Sequence, residues 1–139
     1  MVYHYRCLNC GAARWRGWVN RATVLPCLEC KVPTRAPTPQ EQPDAWVDER
    51  EAPDEMKAAA LSGNRRRDHN PSHQDLCVVP WCTSIADDVD HHVPYMPGRT
   101  SASNLIPLCR AHKSSKAGRD YDEWLGDVEA LENPGRRAV

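Results

Sequence analysis

Eight side chains in this sequence stand at spacings that suit metal ligands: Cys7-x2-Cys10, Cys27-x2-Cys30, Cys77-x4-Cys82 and Cys109-x2-His112. All seven cysteines of the chain are among them. Eight ligands make two four-coordinate sites with none left over, which is the habit of structural zinc. An odd number of cysteines leaves one thiol over in a disulfide scheme, so metal is the better reading. In the first set, two CxxC pairs sixteen residues apart give the spacing of a zinc ribbon. Four thiolates close the coordination sphere, so that site holds structure rather than chemistry. A redox CxxC is the weaker alternative, and a rubredoxin-like iron site meets the same spacing.

The bulk numbers explain why such staples are expected. The chain has 139 residues, no Phe and 12 Pro. Its cysteines fall in two groups, 7–30 and 77–109, with a poor core-former between them. A unit of about 40 residues seldom buries enough apolar surface to fold unaided. The opening MVYHYRC lacks the apolar stretch of a signal peptide, and no run approaches the roughly 18 apolar residues of a membrane span. An intracellular, reducing setting with no membrane partner is therefore expected, and there such spacings favour zinc.

Net charge is only −1, yet the charges are sorted. Residues 1–35 carry Arg6, Arg14, Arg16, Arg21, Lys31 and Arg35 against Glu29 alone. Residues 41–55 carry seven acids against Arg50. The triplet Arg65-Arg66-Arg67 follows, then Arg110, Lys113, Lys116 and Arg119. Locally basic modules suit a polyanion partner, although a solvated surface with an acidic linker gives the same pattern.

The elements that must position the ligands can be read coarsely. VYHYRC alternates like a strand, and Gly11 after Cys10 can take the positive φ of a knuckle. RWRGWVNR reads as a second strand bent at Gly17. Trp15 and Trp18, with Arg14, Arg16 and Arg21, could stack on and pair with nucleic acid, or form the small core of the ribbon; the sequence favours neither. Residues 36–55 read as an acidic, Pro-rich linker. Residues 54–63 carry helix signals, with acids first and an alanine run after. Residues 120–132 form an amphipathic helix, N-capped by Asp120, whose apolar stripe is Tyr121, Trp124, Leu125, Val128 and Leu131.

What lies inside the second ligand set is more specific. Asp90-His91 and Pro94 are followed by Gly98, then Asn104-Leu105, Leu108-Cys109, His112 and Lys116. In this order and spacing the segment, about residues 65 to 119, resembles the HNH endonuclease family, in the version whose ββα-metal core is framed by a structural zinc. The resemblance does not cover the ribbon, the linker or the tail. It implies a small zinc-stabilised α+β protein: zinc ribbon over 1–35, linker over 36–55, HNH ββα-metal domain over 56–119, C-terminal helix and tail over 120–139. It implies two structural Zn2+ and one catalytic divalent metal, Mg2+, Mn2+, Zn2+ or Ni2+.

The implied chemistry is hydrolysis of DNA phosphodiester bonds. Water is a poor nucleophile and a phosphodiester a poor electrophile, so the site needs a base and a cation. By the resemblance, His91 is the base, Asp90 holds the metal and Asn104 positions the imidazole by a hydrogen bond across the two strands. Arg65, Arg66, Arg67, Arg99, Lys116 and Arg119 are the expected phosphate contacts, which position DNA without reading its sequence. Proteins similar to this version are common in bacteriophages, so a phage packaging or recombination protein is an implied partner and the cytoplasm of a bacterial host an implied setting.

Lys113 departs from the family pattern. It stands where the helix after the second strand brings a further metal ligand, usually His. A protonated Lys has no lone pair to give. His112 could be that ligand instead, although neighbouring helical residues point about 100° apart and Cys109-x2-His112 is zinc spacing. The metal could persist on Asp90 with help from His92. Lys113 could mark an inactive site in a chain that still binds DNA, as a zinc-dependent adaptor, or its ammonium could stand in for the metal. His69 and His73 read as surface residues, Asp87 and Asp88 as a turn.

Overall fold

The computed structural model describes residues 1–62 and 76–137. Strand β1 (Val2–Arg6) alternates as expected: Tyr3 and Tyr5 are buried, and His4 faces the other way. It pairs antiparallel with β2 (Ala13–Gly17), in the register Tyr3↔Arg16 and His4↔Trp15. The two-stranded ladder β3 (Leu25–Pro26) and β4 (Pro33–Thr34) carries the second knuckle. Along its other edge β1 pairs with β5 (Trp46–Val47), and β5 pairs with β7 (Thr100–Ser101). The resulting sheet has the order β2-β1-β5-β7.

The stretch expected as a linker is therefore ordered structure. Val47 is fully buried and pairs with Tyr3, and Pro37 and Pro39 are fully buried as well. Tyr3 Oη donates to the Pro37 carbonyl at 2.8 Å. The sorted charges meet one another here: Arg6 pairs with Asp44, Arg21 with Glu55 and Arg35 with Glu41. Much of the basic charge of residues 1–35 is thus matched inside the chain. Each exposed pair contributes little alone; their effect is to fix which acidic residue lies over which arginine.

Helix α1 (Asp54–Ser62) starts on acids and buries Met56, Ala59 and Ala60. Those residues share one core with Tyr3, Tyr5, Val47, Val89, Ala102 and Leu105. Strands β6 (Asp88–His91) and β8 (Leu105–Leu108) pair antiparallel, with Asp90↔Ile106 and His91↔Leu105. Helix α2 (Arg110–Lys116) follows β8 directly, so the β6–β8 pair, with β7 in its connection, leads into a helix as a β–β–α unit. A second core joins Cys77, Val79, Cys82, Leu108 and Cys109 to Tyr121, Trp124, Leu125 and Val128 of α3 (Tyr121–Glu132). Asp120 caps α3, its side chain accepting from Glu123 N at 3.2 Å. Leu131, expected in the apolar stripe, is 83 % exposed, because the second core ends one turn earlier.

Candidate metal centres and the Asp90–His91 site

The two knuckles of the first cluster are built alike. Gly11 N bonds Cys7 O at 2.9 Å and Lys31 N bonds Cys27 O at 2.9 Å. Gly11 takes φ +75°, as its position required, and Lys31 takes φ +66° at the matching place. These turns aim four sulfurs at one point: Cys7–Cys30 is 3.9 Å, Cys10–Cys27 is 3.8 Å, and all four lie within 4.8 Å of one another. A disulfide needs about 2.05 Å. Thiolates bound tetrahedrally to zinc at about 2.3 Å stand about 3.8 Å apart. The spacing is that of a metal site.

The second cluster is Cys77, Cys82, Cys109 and His112, all buried. His112 turns Nδ1 toward Cys77 Sγ at 3.4 Å and Cys109 Sγ at 3.3 Å, and Cys82–Cys109 is 3.9 Å. Burial pushes the Cys77 thiol up to about 12. That thiol ionises only if a cation offsets the lost hydration. His112 thus belongs to this cluster and is not free to serve at Asp90.

Glu132, which the sequence did not single out, completes the second centre. Its Oε1 lies 2.8 Å from His112 Nε2 and also accepts from Trp81 Nε1 at 3.0 Å. A carboxylate on the distal nitrogen fixes the tautomer and makes Nδ1 the better ligand, and such partners contribute roughly 10- to 100-fold in metal affinity. Glu132→Gln is expected to weaken binding of one metal equivalent by about that factor, read by competition with a chromophoric chelator, while the other equivalent is unchanged.

At the second functional locus, His91 is buried on β6. Its Nε2 lies 2.8 Å from Thr100 Oγ1, and that hydroxyl donates to the Arg50 carbonyl at 3.3 Å. With the hydroxyl proton directed to Arg50, Nε2 is the donor and Nδ1 keeps its lone pair. Nδ1 has no hydrogen-bond partner among the described residues. Burial holds the imidazole below the usual histidine range, Asp90 opposing and Lys116 reinforcing the shift. A neutral ring with one anchored and one open nitrogen is what a proton acceptor requires.

Asn104 does not bond the imidazole. Its Oδ1 accepts from Val93 N at 3.0 Å, and Nδ2 donates to the carbonyls of Val93 (3.0 Å) and Arg99 (2.8 Å). It clamps the loop between β6 and β7 instead. Gly98 is required in that loop, because a Cβ there would collide with the carbonyl oxygens of Val93 and Pro94. Asn104 therefore acts on His91 through the loop that delivers Thr100.

The carboxylates of β6 face α2. Lys113 Nζ donates to Asp88 Oδ2 at 2.6 Å, and Lys116 Nζ donates to Asp90 Oδ2 at 3.1 Å. Two lysines one helical turn apart thus match two aspartates on one face of a strand. Lys113 does not stand beside Asp90; Lys116 does. Lys116 is fully buried, which removes it from the expected phosphate contacts. Asp90 Oδ1 accepts from His91 N at 2.9 Å. Among the described residues no set of three ligands forms at Asp90.

His92 bonds Asp122 at 3.0 Å and gives Asp90 no help. Asp87 accepts from Arg110 N at the start of α2. Arg119 is exposed and paired with Asp127, with Glu123 nearby, and Arg99 lies over Trp46. Arg65, Arg66, Arg67, His69 and His73 lie outside the described residues. Trp18 packs on Tyr3 beneath Arg21, and Arg16 is buried with Tyr5, so these three belong to the packing around β1. None of the described helices is long and apolar enough to cross a membrane. No protein-family model matches this chain, and comparison with curated proteins and with solved structures likewise gives no match.

Proposed function

We propose that this chain is a zinc-held endonuclease of the HNH type that hydrolyses DNA phosphodiester bonds. The observation that carries the reading is His91: a buried imidazole in a β–β–α unit, anchored at Nε2 by Thr100, open at Nδ1 and adjacent to Asp90. The four-cysteine cluster holds one zinc in a ribbon, and the cluster of Cys77, Cys82, Cys109 and His112 frames the ββα core with another. Purified protein is therefore expected to contain two zinc per chain.

His91 Nδ1 takes the proton of an attacking water, and the Thr100 bond stops the ring from turning away during transfer. Asn104 keeps the Val93–Arg99 loop, and with it Thr100, in place. Asp90, with Oδ2 taken by Lys116 and Oδ1 by His91 N, would hold a divalent cation only by releasing Lys116; such a cation would supply positive charge to the phosphorane-like transition state and the departing oxygen. A single carboxylate suits a hard cation that takes its other ligands from water and substrate phosphate.

The lysine–aspartate pairs favour a second reading, a DNA-binding module without catalysis. Lys116 neutralises Asp90 from within, and Lys113 neutralises Asp88 one turn away. Nicking of supercoiled plasmid with Mg2+, Mn2+, Zn2+ and Ni2+ separates the two. For a nuclease, cleavage by the parent chain is expected with at least one metal, and its loss in His91→Ala. A parent that binds plasmid DNA but is silent with every metal establishes the second reading.

A further inference from the structure

The residues of the β2-β1-β5-β7 sheet that face away from the core form one row. Trp15 on β2 stands opposite His4 on β1, and His4 stands opposite Trp46 on β5. The His4 ring lies flat on Trp46, with centroids 3.8 Å apart and planes 8° from parallel. The Arg99 guanidinium covers the Trp46 ring at 4.2 Å. Arg99 leads into β7, on the far side of β5 from β1, so Trp46 is held between the two. The row ends at Trp15 on β2, 71 % exposed, with no strand on its outer side among the described residues.

A groove of about 370 Å³ runs along the row and is lined also by Arg14. Its charges are unequal. Arg6 is matched by Asp44, but neither Arg14 nor Arg99 has a carboxylate partner among the described residues. Arg14 Nη1 is covered and has no hydrogen-bond acceptor among the described residues. An exposed flat ring, Trp15, beside guanidinium groups without carboxylate partners suits a base with its phosphate. The bases of a duplex already cover one another, so an open aromatic face selects unpaired ones.

We infer that the outer face of this sheet binds unpaired nucleotides of DNA, with a base stacked on Trp15 and phosphates at Arg14 and Arg99. Arg99, at the opposite end of this row from Trp15, directly precedes Thr100 of β7, the anchor of His91. For its place beside the chemistry the inference rests on the nuclease reading; its test does not. In a His91→Ala background, a fluorescein-labelled twelve-nucleotide oligo(dT) is titrated by anisotropy against a blunt duplex of equal length. Single strand is expected to bind more tightly than duplex. Trp15→Ala is expected to weaken single-strand binding about tenfold, and Trp15→Tyr to retain most of it. Arg99→Gln is expected to weaken it and to flatten its salt dependence. Zinc content of each variant confirms that the fold is kept.

Equal single-strand affinity for the parent and Trp15→Ala overturns the inference and gives the exposed tryptophan to a protein partner. Oligonucleotide binding that depends on Trp15, in a chain that never nicks plasmid, supports the inference and removes the nuclease reading. Nicking by a chain whose Trp15→Ala variant binds single strand unchanged does the reverse.

Discussion

Stripping metal from the cluster of Cys77, Cys82, Cys109 and His112 is expected to unfold the chain. Three of the four ligands are core residues: Cys77, Cys82 and Cys109 pack with Leu108, Tyr121, Trp124 and Val128. Without an ion, the second core keeps buried polar groups close together with nothing to join them. Zinc binding in small finger domains is worth about 10–16 kcal/mol, whereas a domain's whole stability is about 5–15 kcal/mol. The ion's share is therefore comparable to all the rest. A strong chelator is expected to abolish the cooperative thermal transition and the near-ultraviolet circular dichroism, and zinc, added back, to restore both. The two clusters should differ. Cys82 is buried and Cys10 exposed at the tip of its knuckle. Cys82→Ser is expected to lose cooperative melting. Cys10→Ser is expected to melt at a lower temperature but still cooperatively, because Tyr3, Tyr5 and Val47 keep their core with α1. A chelated chain that melts at an unchanged midpoint would remove metal from the account of stability.

Both ligand sets were legible in the sequence because each half-site is a local turn, and turns are written in short spacings. Gly11 announced its positive φ in the same way, and α3 announced its cap and most of its buried stripe. Long-range pairings left no such mark. Strand β5 is two residues long in a Pro-rich acidic stretch, and only its partners β1 and β7 make it a strand. The charge sorting looked like a basic surface beside a solvated linker, yet Arg6, Arg21 and Arg35 had their acids waiting across the fold. Glu132 lies twenty residues from His112 and Lys116 twenty-six from Asp90. At such separations no spacing rule applies. The place of His91 on a strand is legible, but its hydrogen-bond partner is not: Thr100 holds the ring, and Asn104 holds the loop.

His91→Ala is expected to reduce plasmid cleavage by about 10²–10⁴-fold, equivalent to about 3–5 kcal/mol in the barrier. The loss is chemical, not structural. Nδ1 makes no hydrogen bond that holds the fold, and the Thr100 hydroxyl keeps its bond to Arg50 when the ring is gone. Zinc content and affinity for DNA should therefore stay close to those of the parent. Thr100→Val probes the same point more gently. It removes the anchor of Nε2 but leaves the base, so it is expected to lower the cleavage rate less than His91→Ala does.

The central claim is that His91 activates water for DNA hydrolysis. The direct measurement is the single-turnover rate of supercoiled plasmid nicking by the zinc-loaded parent and by zinc-loaded His91→Ala, in the presence of Mg2+ or Mn2+. Nicking by the parent is predicted, with a loss of at least about a hundredfold in the variant. Equal rates, or no nicking by the parent with either metal, would contradict the claim.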